Sequence, residues 1–172
     1  MIIRDRTPHL VLAVLPDAVQ ARLDALRRAH YPPERNRAPA HCTLFHAVPG
    51  MVAAELADLL ARLTAQGTPP QARIDRVIDL DSGTALGVFS PDLIMVRETI
   101  ADHFHGLLTG GDAVPPRLHV TIQNKADRPA ARTLQRALGA SWQPLDLRIP
   151  ALAVHRVVDG GWQAAGTWRF RR

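Results

Sequence analysis

Two short strings in this chain pair a histidine with a threonine two residues on: His41-Cys42-Thr43-Leu44 and His119-Val120-Thr121-Ile122. No other histidine of the eight has Ser or Thr at that distance. Side chains alternate along an extended strand, so each His and its Thr share one face, ~6.5–7 Å apart. Cys42 and Leu44, like Val120 and Ile122, then turn the other way, into a core. A pair of imidazoles, one neutral and one protonated, can take a proton from an attacking oxygen and give one to a leaving oxygen without a metal. Threonine hydroxyls beside them can donate hydrogen bonds to the non-bridging oxygens of a phosphorus centre as charge builds there. The four groups therefore suit transfer at a phosphodiester. One His-x-Thr triplet means little, because chance supplies many. Two of them, each in a strand and each after a proline-bearing loop, mean much more. The plain alternative is two strands that each carry a half-buried structural histidine.

The elements that must position these residues follow from the apolar pattern. Residues 9–15 (HLVLAVL) are a short apolar run halted at Pro16-Asp17, which predicts a buried strand. Residues 17–31 carry Val19, Leu23, Leu26 and Ala29 at helical spacing, with Arg22, Arg27 and Arg28 elsewhere, and Pro32-Pro33 ends the helix. Residues 34–39 (ERNRAP) read as a surface loop. Residues 40–48 form the first motif strand, and residues 52–66 a helix carried by Leu56, Leu59, Leu60 and Leu63. Residues 72–80 and 85–89 flank Asp81-Ser82-Gly83-Thr84 as a hairpin. Residues 91–108 read as a helix with Pro91 in its first turn, and residues 117–124 as the second motif strand. A helix over 128–138 ends at Gly139; strands over 145–158 and 162–170 surround Asp159-Gly160-Gly161. The order of elements nearly repeats, which suggests a duplication, although no residue-level repeat accompanies it. No low-complexity linker divides the chain, so residues 1–172 are expected to form one bilobal domain.

Composition sets the outer bounds. With 172 residues, 47% apolar and 22% charged, the chain can bury a sizeable interior. A net charge of +5 favours anionic partners without naming one. The single cysteine, Cys42, rules out an intramolecular disulfide and a cysteine-only zinc site, and it fits a reduced cytoplasm. The first six residues do not read as a secretory signal, and no apolar run approaches the ~20 residues that cross a bilayer. A cytoplasmic protein without membrane contact is the expectation. No H-E-x-x-H, Walker loop, G-x-G-x-x-G or acidic metal cluster is present, so neither metal nor cofactor is expected. His103 and His105 sit two apart on a predicted helix, point to different faces and make a poor metal pair.

Strand parity extends the candidate site. Phe45 shares the face of His41 and Thr43, where it could stack on a base or ribose; a strand phenylalanine more often joins a core. Gln123 and Lys125 share the face of His119 and Thr121. Lys125, the only lysine among 21 basic residues, is placed to meet a phosphate or to end the strand in solvent. Arg35 and Arg37, in the loop before His41, could reach an anionic substrate, against the default of a solvated loop. His46 falls on the opposite parity from His41 unless a bulge intervenes, and reads as structural.

The strings HCTLFHAVPG and RLHVTIQNK, with their paired H-x-[ST]-hydrophobic motifs, resemble the two-histidine (2H) phosphoesterase superfamily. Within it the chain looks most like the bacterial branch of 2′-5′ RNA ligases and RNA 2′,3′-cyclic phosphodiesterases, over most of its length. The resemblance implies a bilobal α+β fold: two antiparallel sheets facing each other across a central groove, helices outside, one motif from each lobe. It implies that His41 and His119 are catalytic and that Thr43 and Thr121 bind phosphate. In hydrolysis of a 2′,3′-cyclic phosphate, His119 would be the base that activates water and His41 the acid at the leaving oxygen; ligation reverses the roles. The substrates implied are RNA ends with a 2′,3′-cyclic phosphate or small cyclic nucleotides, with making or cleaving of 2′-5′ bonds as a further activity. The loop before His41 lacks the aromatic-and-proline lead-in of the RNA ligases, which leaves ligation and the natural substrate open. Two other readings stand beside this one. The first is a non-catalytic module that holds an RNA end or phosphate; the second is an enzyme for another small substrate such as ADP-ribose cyclic phosphate. No obligate protein partner is expected.

Overall fold

The first apolar run becomes β1 (His9–Ala13), buried at all five positions, as a central strand requires. The structure, a computed structural model, describes residues 5–172; residues 1–4 of the N-terminal stretch lie outside the described residues. After β1 come α1 (Asp17–His30), β2 (Cys42–Val48), α2 (Ala53–Gln66), β3 (Gln71–Asp79) and β4 (Thr84–Phe89). Then follow α3 (Pro91–His103), β5 (His119–Gln123), α4 (Arg128–Ser141), β6 (Leu145–Arg148), β7 (Ala151–Val158) and β8 (Gly161–Arg169). Local chemistry explains the helix starts. Ser90 caps α3 by accepting the Leu93 N–H at 3.1 Å, and Asp127 caps α4 by accepting the Ala130 N–H at 2.7 Å. Pro91 and Pro129 occupy first-turn positions, where a missing N–H costs nothing.

The fold is the expected mix of helices and antiparallel strands, but the strands do not divide into two separate sheets. They form one sheet of eight in the order β6-β3-β4-β5-β2-β1-β7-β8. Its two halves, β6-β3-β4-β5 and β2-β1-β7-β8, join where β2 meets β5, and the register there is a single pair, Cys42 with Val120. The halves match strand for strand: β2 corresponds to β5, β1 to β4, β7 to β3 and β8 to β6. The order of elements repeats in this sense, with β3 lying in the half of β4 and β5 and β7 in the half of β1 and β2.

The helix expected to end at Gly139 runs through it to Ser141, and two further element boundaries differ from the sequence reading for identifiable reasons. The single strand expected over 145–158 is two, broken at Ile149-Pro150. β6 pairs with β3 in one half and β7 with β1 in the other, so the chain changes halves at that proline. The helix expected to reach residue 108 ends at His103. Phe104 is buried, and Gly106 takes a left-handed φ of +85°, which turns the chain away.

One apolar core runs under both halves. Val19 and Leu23 of α1, Leu56, Leu59 and Leu60 of α2, Leu93 and Ile100 of α3, and Leu134 and Leu138 of α4 supply its helical side. Helix α2 packs on β7 and β8, and α4 on β3 and β4, each within one half. Helix α1 instead leaves the half that holds β1 and β2 and packs against β5. The helices therefore tie together what a single strand pair joins.

The β3–β4 hairpin meets β5 closely at Gly83, where an added Cβ would strike the Gln123 carbonyl oxygen and come within 2.7 Å of the Asn124 Cα. Both obstacles are backbone and cannot swing aside. Gly83→Ala is expected to destabilise the protein by about 1–3 kcal/mol, the cost of overpacking a filled site, and a thermal melt should show it as a lower Tm.

Candidate active site

The seam between the halves builds the site. Cys42 and Val120 are the paired residues, both fully buried. In an antiparallel ladder, the residues flanking that pair stand opposite each other: His41 beside Thr121, and Thr43 beside His119. All four lie on the face away from Cys42 and Val120 and are half-buried. Cross-strand neighbours have Cβ atoms about 5 Å apart, so each histidine stands next to the other motif's threonine. The two triplets thus meet as a crossed square on neighbouring strands.

Each imidazole is oriented by its own loop. His41 Nδ1 donates to the Pro39 carbonyl at 2.7 Å, and His119 Nδ1 donates to the Arg117 carbonyl at 2.7 Å. A carbonyl only accepts, so Nδ1 carries the proton in both rings and Nε2 is left for chemistry. The proline-bearing loops before the motifs are therefore more than punctuation: each places a carbonyl two residues upstream of its histidine.

His41 has the more enclosed ring. Trp162, on β8, meets it edge-on at 4.7 Å between centroids, and His155 lies beyond Trp162 at 5.5 Å. Burial lowers the His41 pKa from 6.5 to about 4; the bond to Pro39 opposes the shift, and the charge of Arg27, with smaller effects of the neighbouring His119 and His46 side chains, adds to it. At pH 7 His41 is a neutral imidazole. Burial also lowers the pKa of His155. The Cys42 thiol, pushed up to about 12 by burial, is an inert part of the core.

The residues assigned by strand parity beyond the threonines are displaced, and the cause is the same in both strands. Leu12 pairs with Thr43 and Val11 with Phe45, which leaves Leu44 as an unpaired bulge residue. Ala85 pairs with Thr121 and Thr84 with Gln123, which leaves Ile122 unpaired in the equivalent place. A bulge breaks the alternation of side chains at that point. Phe45 is consequently fully buried, with no face to offer a base. Gln123 is 4% exposed, and its Oε1 accepts from Thr84 Oγ1 at 3.3 Å in the interior. Lys125 lies past the end of β5 with a left-handed φ of +54°, so the parity of the strand does not reach it; its side chain is exposed. None of the three joins the crossed square. Arg35 and Arg37 are exposed in the loop before His41, and the Arg37 guanidinium comes within 4.0 Å of where a Cβ on Gly160 would sit. That brings Arg37 beside the β7–β8 turn that precedes Trp162. The His46 side chain is exposed, and its backbone N–H donates to the buried Asp112 carboxylate at 2.8 Å.

Two residues at the site escaped the sequence reading. Trp162 is brought to His41 by sheet order, and no local motif marks it. Arg27 is not apolar and so does not count in the apolar pattern of α1, yet it continues the buried row of Val19 and Leu23, is 4% exposed, and its Nη1 donates to the Thr121 carbonyl at 2.8 Å. Among the described residues, no three of His, Cys, Asp and Glu gather where they could hold a metal ion. No helix among them is long and apolar enough to cross a membrane. A recess of about 660 Å³ between α2 and β8, lined by Thr64, Trp168 and Arg171, includes none of the four motif residues.

Comparison with known proteins identifies the family and the fold. The profile of the 2′-5′ RNA ligase superfamily matches residues 15–161. No curated protein sequence matches the chain. Among solved structures, the chain is similar to TT0787 of Thermus thermophilus, with a TM-score of 0.71 at 17% identity over 95% of this chain and 98% of that one. It is similar to E. coli LigT complexed with 3′-AMP, with a TM-score of 0.65 at 16% identity over 97% and 99% of the two chains. The complex of E. coli LigT with NADP+ gives 0.64 at 16% identity over 98% and 99%. At these identities the likeness is one of fold.

The buried neutral state of His41 has a consequence for stability. Its folded-state pKa of about 4 lies below the 6.5 of a free imidazole, so the unfolded chain binds the proton more tightly. The contribution is fully present above pH 6.5 and is lost as the pH falls toward 4. Urea unfolding across that window should show wild type losing stability more steeply than His41→Gln. Titration of His155 should leave both proteins a residual slope of the same sign.

Proposed function

Because this chain belongs to the 2′-5′ RNA ligase superfamily, we propose that it hydrolyses 2′,3′-cyclic phosphate ends of RNA or nucleotides by two-histidine acid–base catalysis. The observation that carries the proposal is the crossed square, in which two imidazoles with Nδ1 tied back offer both Nε2 atoms beside two threonine hydroxyls. Such a set needs no metal. A cyclic phosphodiester has one anionic phosphorus centre, an exterior face for the attacking water and a ribose oxygen to be released. The structures of E. coli LigT with 3′-AMP and NADP+ support a nucleotide phosphate as the kind of group such a fold receives.

In the proposed hydrolysis, His119 Nε2 takes a proton from water as the water oxygen bonds to phosphorus. The bond from phosphorus to one ribose oxygen breaks, and His41 Nε2 delivers a proton to that oxygen. Thr43 and Thr121 donate to the non-bridging oxygens as their charge grows. The product is a phosphomonoester, and proton exchange with solvent resets both rings. His41 must hold a proton to play this part, although the protein by itself keeps the ring neutral at pH 7. The anionic phosphodiester supplies what is missing: a negative charge beside the ring favours the imidazolium and reverses the effect of burial. Binding should therefore be accompanied by proton uptake. The neutral ring also gives a specific reason to consider the opposite assignment, with His41 as base and His119 as acid.

Wild-type protein should convert a short RNA with a 2′,3′-cyclic phosphate end to the monoester in the presence of EDTA. His41→Ala and His119→Ala should each lower kcat by about 10²–10⁴, the usual worth of a positioned acid or base. Thr43→Val or Thr121→Val should cost about 10²–10³, the scale for one lost donor to a developing oxyanion. Near-wild-type turnover in either histidine variant would defeat the proposal. Binding without any product from wild type would instead identify a phosphate-holding module.

The roles can be separated by calorimetry of 2′,3′-cyclic AMP binding to the His119→Ala variant at pH 6, in buffers of different ionisation enthalpy. Uptake approaching one proton places the acid at His41. Binding with no uptake assigns His41 to the base.

A further inference from the structure

The two motif strands share one backbone pair, Cys42 with Val120, yet chemistry between them needs the imidazoles and hydroxyls fixed to a fraction of an ångström. Both strands are also bulged immediately after their threonines, and a bulge leaves backbone groups without ladder partners. Two buried arginines meet both needs. Arg27, on α1, donates from Nη1 to the Thr121 carbonyl on β5 at 2.8 Å. Arg97, on α3, donates from Nε to the carbonyl of the bulge residue Leu44 on β2 at 3.4 Å. Each is 4% exposed, and each begins in the chain segment of one half and ends on the motif strand of the other.

Their surroundings are alike as well. The Arg27 guanidinium stacks on Tyr31 at 4.4 Å and is held by Asn36 Oδ1, which accepts from Nε at 3.2 Å and Nη2 at 3.1 Å. The Arg97 guanidinium stacks on Phe45 at 4.4 Å, and its Nη2 donates to the Asp112 carbonyl at 2.7 Å. Phe45 is available for that stack because the bulge at Leu44 has taken it off the His41 face. A guanidinium has a rigid fork of donors and stays charged when buried, so it can grip a carbonyl and an orienting group at fixed angles. A lysine in either place would keep the charge without the fork.

From this crossed pattern we infer that Arg27 and Arg97 are positioning residues, a pair of guanidinium latches that hold the two motif strands in register across the seam. The inference rests on His41 and His119 being the reacting pair. Arg27 has the more direct effect, because its bond fixes the residue that stands opposite His41. Its charge acts on His41 too, together with His119 from β5 and His46 from β2; Trp162 and, behind it, His155 close the ring from β8 and β7.

The test uses the full chain as Arg27→Met and Asn36→Ala, with histidine ring titrations by NMR and turnover of 2′,3′-cyclic AMP. Arg27→Met removes both grip and charge. It should make His41 titrate at higher pH than in wild type and lower kcat by about a hundredfold, the effect of misplacing a catalytic group by an ångström, with KM near wild type. Asn36→Ala frees the fork without removing it and should move both readouts the same way by less. A purely structural arginine would lower Tm without splitting kcat from KM or moving the His41 titration. Wild-type kcat and an unchanged His41 titration in a folded Arg27→Met protein would overturn the inference. Should that variant not fold, the same result in Asn36→Ala would do so. If wild type hydrolyses no cyclic phosphate, the proposed activity fails by itself; an unmoved His41 titration then sinks the latch, and a shifted one sustains it.

Discussion

Eight strands are held as one sheet through the pairing of Cys42 with Val120, and the chemistry sits on that seam. A single pair is a weak backbone joint, yet it settles the most important matter. It decides that His41 faces Thr121 and that Thr43 faces His119. Were β5 displaced by one residue along β2, its side chains would change faces: Val120 would come out and His119 would enter the core. The apolar spacers Cys42, Leu44, Val120 and Ile122, all 2% exposed or less, prevent that displacement because each would have to leave the interior. The core thus fixes the register, and the register fixes the site.

Around the seam the structure repeats the same solutions on each side. Both histidines donate Nδ1–H to a carbonyl two residues upstream, both strands are bulged after the threonine, and both receive a buried guanidinium from the other half's segment. These features depend on each other. The bulge ends the alternation of side chains and sends Phe45 and Gln123 inward; Arg97 bonds the carbonyl of the bulge residue Leu44, and Arg27 that of Thr121 just before the other bulge. A site assembled from two halves in this way gains its precision from side chains and helices, since the ladder between the halves is short.

The symmetry of the backbone does not extend to the environment of the rings. Trp162 closes over His41, and burial with the nearby Arg27 charge holds that ring neutral. Two groups of one chemical type are thereby made different, which acid–base catalysis requires of its pair. In the proposed reaction an anionic substrate complements such a site, since its negative charge favours the protonated form of the buried ring. The net charge of +5 favours the approach of such a substrate, and the local geometry decides what happens to it.

The two His-x-Thr triplets, their strands, the loops before them and the inward-facing spacers are all legible in the residues, because period-two alternation and proline punctuation are local properties. So is the α+β class, from the order of runs and breaks. What the sequence could not determine lies wherever a residue's neighbour is distant along the chain. Strand parity sends Phe45, Gln123 and Lys125 to the site, and the bulges and the turn at Lys125 send them elsewhere. A bulge depends on how a strand matches its partner, and the strand alone carries no mark of it. Arg27 stands on the row of Val19 and Leu23 in α1, but its charge hides it from the apolar pattern, and only the packing of α1 across the seam against β5 makes it a buried donor to Thr121. Trp162 reaches His41 because β7 and β8 lie beyond β1 in the sheet, an order fixed by the chain's change of halves at Pro150. The sequence by itself determined which groups could do the chemistry. The tertiary structure decided which of them meet and which ring is neutral, because cross-strand register, burial and charge at a distance exist only once the chain has folded.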